Sequence, residues 1–88
     1  MNGWERLVKA LFDLSEDEIV TEGEIEQVKR SIEQLSSESQ KILKKRFGIE
    51  QERRYTLEEV ADELGTTRES VRKAEVKAYE FLKKEVQK

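Results

Sequence analysis

Eighty-eight residues with a net charge of −3, 42% of them charged, suit one small domain with a modest core. The chain has no proline, cysteine or histidine, which excludes disulfides and zinc sites of the usual Cys/His kind and removes the commonest acid–base and nucleophile pairs of enzymes. No apolar run approaches the roughly 20 residues of a membrane span, and the first residues lack the basic stretch and apolar core of a secretory signal, so a cytoplasmic, non-enzymatic protein without cofactor, metal or small-molecule substrate is expected.

A first helix is expected over residues 3–14, capped by Asn2, with Trp4, Leu7, Val8 and Leu11 on one stripe. That stripe either packs on the chain's own core or docks a partner, since aromatic residues anchor interfaces. Its polar side is too poor in Lys/Arg for a membrane-surface helix. Residues 15–20 (SEDEIV) are an acidic connector; they lack the glycine and ligand spacing of a calcium loop. Residues 1–20 therefore form an N-terminal helix plus connector, ahead of a domain over 21–88.

Thr21 with Glu24 is a capping box opening a helix over 22–35, with Ile25, Val28, Ile32 and Leu35 on one face. Ser36 and Ser37 interrupt it. Ser37 with Gln40 is read as the next cap, for a helix over 38–47 that turns Ile42, Leu43 and Phe47 inward and ends at Gly48. Arg53 and Arg54 lie just before Thr56, where basic side chains and free helix-start N–H groups suit a phosphate.

Residues 56–82 hold the densest pattern. Thr56 and Glu59 form another capping box, Leu57, Val60, Ala61 and Leu64 follow at helical spacing, and Gly65 sits where a helix end needs positive φ. Thr67 caps a long last helix over 68–86 with Val71, Ala74, Ala78 and Leu82 along one side. Ala61 lets two helices cross closely, Gly65 makes the turn and Val71 fills the angle, the arrangement of a helix-turn-helix. The whole reads as an all-α chain of about five helices ending in a helix-turn-helix with a long recognition helix. Glu75 falls near the apolar side of that helix and requires a partner.

Charge divides the chain. Residues 1–40 carry four Lys/Arg against ten Asp/Glu, and residues 41–88 carry thirteen against ten. An acidic half thus precedes a mildly basic one, whose weak positive balance predicts weak non-specific DNA binding.

The stretches ILKKRFGI (42–49), TLEEVADELG (56–65) and TTRESVRKAEVKA (66–78) resemble region 4, the promoter-reading domain of sigma-70-family bacterial RNA polymerase sigma factors. The resemblance spans Leu35 to Leu82, with the helix at 22–35 in the place of that domain's first helix. It implies a recognition helix that enters the major groove of the promoter −35 element, with Arg68, Glu69 and Lys73 at base edges. Their chemistry agrees: Arg68 can donate twice to guanine and Glu69 can accept from cytosine N4. It implies phosphate contacts from Arg54, Thr56, Arg72 and Lys77. It also implies docking on the flap of the polymerase β subunit through Ile42, Leu43, Phe47 and Ile49, in a bacterial or phage-infected cell. Lys73 stands where the family usually has glutamine, Ser70 where it often has arginine, and Leu35-Ser36-Ser37 replaces its Leu-Pro-Pro.

Nothing here corresponds to the upstream sigma domains, and Met1 with the extra helix favours a free-standing region-4-like protein over a piece of a sigma factor. Two further readings remain: a polymerase- or sigma-binding module that binds DNA little, which the net charge favours, and a dimeric repressor.

Overall fold

The computed structural model describes residues 2–87. Its elements are α1 (Gly3–Leu11), α2 (Glu22–Ile32), α3 (Ser37–Phe47), α4 (Leu57–Leu64) and α5 (Arg68–Val86), with no strand among the described residues. Each helix begins where a side-chain oxygen meets an otherwise unpaired first-turn N–H. Asn2, Thr21, Thr56 and Thr67 are the caps expected from sequence. At α3 the cap lies one residue earlier than expected: Ser36 Oγ accepts from Ser39 N at 3.1 Å, while the Gln40 amide turns back to donate to Leu35 O at 3.0 Å.

Helix ends account for the other boundary differences. α1 stops at Leu11 instead of running to residue 14, because Asp13 enters the left-handed region (φ 55) and Leu14 N reaches back to Lys9 O at 2.9 Å. That is the closure usually given to glycine. The Asp13 carboxylate then bonds Lys83 of α5 (3.0 and 3.1 Å), which ties the end of α1 to the far end of the chain. α2 gives way after Ile32 to tighter turn bonds, Gln34 N to Ser31 O and Leu35 N to Ile32 O, both 3.1 Å. α3 and α4 end at Gly48 (φ 70) and Gly65 (φ 68), the conformation a side chain would strain.

Two apolar clusters hold the helices. The larger joins Leu7, Val8 and Leu11 of α1, Val28 and Ile32 of α2, Leu43 and Ile49, and Ala78, Leu82 and Val86 of α5. The smaller joins Ile42, Val60, Ala61 and Val71, where α3, α4 and the start of α5 meet. This is the packing expected of the helix-turn-helix: small Ala61 at the crossing and Val71 buried in the angle. α5 contributes to both clusters.

The stripe on α1 faces inward. Leu7, Val8 and Leu11 are buried and cannot meet a partner in this conformation, contrary to the docking alternative; Trp4 is half-buried, with the Lys29 ammonium 5.2 Å from its ring centroid. The approach of α1 to the α3 end is close. A Cβ on Gly3 would lie 2.5 Å from Gly48 O, a main-chain atom with little freedom to yield.

Gly3→Ala is therefore expected to destabilise the fold by about 1–3 kcal/mol through overpacking, against its gain in helix propensity. Gly23→Ala, where nothing lies nearer than 3.9 Å, should instead stabilise by about 0.5–1 kcal/mol. Urea unfolding of the two variants beside wild type reads both signs; equal shifts would refute the close packing of α1.

Candidate nucleic-acid interface

The start of α4 and the start of α5 meet at an open cleft lined by Arg46, Thr56, Leu57, Glu58 and Arg68. The reciprocal capping box fixes one wall: Thr56 Oγ1 accepts from Glu59 N at 3.1 Å and Glu59 Oε1 accepts from Thr56 N at 2.9 Å. The amides of Leu57 and Glu58, in the first turn, have no intrahelical partner by helix geometry. They carry the positive end of the helix dipole.

Along α5 two faces separate as the helical wheel predicts. Val71, Ala78 and Leu82 are buried and Ala74 half-buried, while Arg68, Glu69, Arg72, Lys73, Val76, Lys77 and Glu80 are exposed. Among the described residues Val76, at 41% relative exposure, is one of two large apolar side chains left open to water, and Ile19 in the acidic connector, at 86%, is the other. Lys73 and Lys77 make no ion pair among the described residues.

Glu69 and Arg72 engage each other. Arg72 Nε donates to Glu69 Oε1 at 2.7 Å, and its Nη2 approaches the same oxygen. This bond holds the Glu69 carboxyl below its ordinary range and raises Arg72. Both contacts use Oε1 and leave Oε2 outside the pair.

The two arginines before Thr56 differ. Arg53 grips Glu59 with both terminal nitrogens (3.1 and 2.8 Å) and lies 4.1 Å from the Tyr55 ring centroid, so its charge is already matched. Arg54 donates only its Nε, to Arg46 O at 3.1 Å, which leaves its outer nitrogens available for a phosphate.

Sequence left Glu75 without a partner, and the structure supplies one. Arg46 Nε bonds Glu75 Oε2 at 2.5 Å and Arg46 Nη1 donates to Tyr55 O at 2.9 Å. Arg46 thus links α3, the loop and α5, while its side chain also lines the cleft. Its place among four basic residues on α3 gave no sign of this, because the bond spans 29 residues.

The residues assigned to flap docking separate by burial. Ile42 lies in the smaller cluster and Leu43 and Ile49 in the larger, all enclosed. They fill the interior and offer no surface here. Phe47 is half-buried and lines a shallow, mostly apolar depression with Ala10, Val76 and Tyr79. Ala10, Val76 and Tyr79 had not been picked out from sequence for that role. Among the described residues no acidic cluster is built to hold a metal ion, and no helix is long and apolar enough to cross a membrane.

The sequence profile of sigma-70 region 4 matches residues 31–84, more than half of the chain. RNA polymerase sigma factor SigA of Clostridium acetobutylicum is 40% identical over 58 residues, covering 66% of this chain and 15% of its own length. RNA polymerase sigma factor RpoD of Neisseria gonorrhoeae is 40% identical over 58 residues, 66% of this chain and 9% of its own. RNA polymerase sigma factor sigB of Arabidopsis thaliana is 32% identical over 69 residues, 78% of this chain and 12% of its own. The chain thus spans a small fraction of each relative's length. No solved structure gave a significant match.

The grip of Arg53 on Glu59, with the Thr56 N–H, lowers the Glu59 carboxyl from 4.5 to about 2. Because the folded value is depressed, the contribution of this group to stability is complete above pH 4.5 and lost as pH falls toward 2. A carbon-detected NMR titration should find the Glu59 midpoint well below those of the other glutamates, and Arg53→Ala should move it back up. An unshifted midpoint in wild type would contradict the observed pairing.

Proposed function

The chain belongs to the sigma-70 region 4 family, and from that premise we propose that it reads promoter −35-type DNA with α5 and binds RNA polymerase through the β flap. The observation that carries the first part is the exposed start of α5, where Glu69 and Lys73 lie opposite its buried edge and Arg68, also exposed, lines the cleft beside the start of α4. In the major groove Arg68 donates to guanine O6 and N7, Glu69 accepts from cytosine N4 through Oε2, and Lys73 donates to an acceptor on the next bases. Arg54 and Thr56 hold a phosphate at the start of α4, and Arg72 and Lys77 hold phosphates along the flanks of α5.

Phosphate contacts set register and bases set sequence, so the two groups differ in what their loss does. The pairing of Arg72 with Glu69 joins one member of each group. It orients the carboxylate before DNA arrives and lowers its tendency to take a proton. The net charge of −3 limits non-specific attraction to DNA, so useful affinity comes from being held on the polymerase. Phe47 and the depression it shares with Val76 and Tyr79, edged by Glu75 and Glu80, support the flap contact, because a mostly apolar surface with an aromatic anchor suits an apolar helix.

Arg68→Ala is expected to cost about 1–3 kcal/mol on a −35 duplex and to relax preference at one base pair. Competition binding against a scrambled duplex at moderate salt measures it; equal wild-type affinity for both duplexes would sink promoter reading. Phe47→Ala should abolish retention of the protein on isolated β flap. Undiminished retention would place the flap contact elsewhere.

A further inference from the structure

The family match begins at residue 31, so α1 and most of α2 lie outside it. From sequence, the first forty residues are acidic, a charge that would repel DNA or face a basic protein surface. The fold rearranges that charge. A surface concavity beside the end of α3 is ringed by Arg6 and Lys9 of α1 and by Arg54 of the loop, with Glu16 the one acid on its rim.

We propose that α1 is a second phosphate-contacting element, which carries the DNA-facing surface past Arg54 onto Lys9 and Arg6. The proposal rests on the DNA-binding reading above. Three observations support it.

The position is fixed. Gly3 packs on the main chain of Gly48 and Ile49, and Leu7, Val8 and Leu11 are buried, so the polar side of α1 is held rigidly against the loop. Arg6 Nη1 donates to Phe47 O at 2.9 Å, and the Arg6 and Arg54 side chains both lie over Gly48. The charge remains available as well. Lys9 Nζ donates to Glu16 O at 2.6 Å and Arg54 Nε to Arg46 O at 3.1 Å. Main-chain carbonyls orient these cations without cancelling them, and neither forms an ion pair among the described residues.

The place is also continuous with the proposed interface. Arg54 lies two residues before Thr56, which lines the cleft shared with Arg68. A phosphodiester strand that passes the start of α4 and continues past Arg54 meets Lys9 next. Ala10, Leu14 and Phe47 form the apolar floor of the hollow, and three cations against one acid stand on its rim, where a nucleic-acid backbone would pass.

The test is the salt dependence of affinity for the whole chain on a −35 duplex and on a scrambled duplex. Lys9→Gln removes one cation from the rim, at a half-buried position. It should lower the slope of log affinity against log salt by about 0.9 and weaken both duplexes by the same factor. Lys9→Gln with Arg54→Gln should lower the slope by about twice that. An unchanged slope for Lys9→Gln, while Arg68→Ala still relaxes sequence preference, overturns the role of α1 and leaves promoter reading intact. An unchanged slope with loss of core polymerase binding also overturns it, and assigns the hollow to an acidic protein surface. Failure of wild type to bind either duplex at low salt removes both readings together.

Discussion

Everything in this fold depends on α5 being buried along one edge for its whole length. Val71 at its start closes the smaller cluster against Ile42, Val60 and Ala61, and Ala78, Leu82 and Val86 enter the larger one. A single rigid helix thus spans both cores, and its orientation is set at two places. The exposed side inherits that rigidity, so Arg68, Glu69 and Lys73 are presented on a scaffold rather than on a loop. Arg46 adds a third restraint, bonding Glu75 of α5 and the Tyr55 carbonyl ahead of α4. The two helices that meet at the cleft are therefore held through one guanidinium as well as through Ala61 and Val71.

Much of this was legible in the residues. Capping boxes at Thr21 and Thr56 and the glycines at 48 and 65 act locally, within one helical turn, so sequence spacing suffices to find them. The buried edge of α5 follows from periodicity alone. What sequence hid were bonds between distant residues: Arg46 with Glu75, Lys83 with Asp13, Arg6 with Phe47. The shortening of α1 was hidden too, because aspartate can take the left-handed closing position that glycine usually marks.

Which apolar residues meet the core and which meet a partner is not written in their spacing, for a physical reason. Periodicity says that Leu7, Val8, Leu11, Ile42, Leu43 and Ile49 will be covered, and does not say by what. In a chain this small the domain itself claims all six. What stays accessible is the rim of the core, Phe47 and Tyr79 with Val76, where half-buried rings border solvent. Charge behaves similarly. The acidic and basic halves are properties of chain order, and folding brings Arg6 and Lys9 from the first beside Arg54 of the second.

The central claim is that one continuous surface, from the exposed start of α5 through the α4 cap, meets DNA. The most direct measurement is an amide chemical-shift titration of the labelled protein with a −35 duplex. The account predicts shifts at Thr56 to Glu59 and at Arg68 to Lys77, on a common binding curve, with the amides of the acidic connector unmoved. Shifts confined to Ala10, Phe47 and Tyr79, or none at the start of α5, would contradict it.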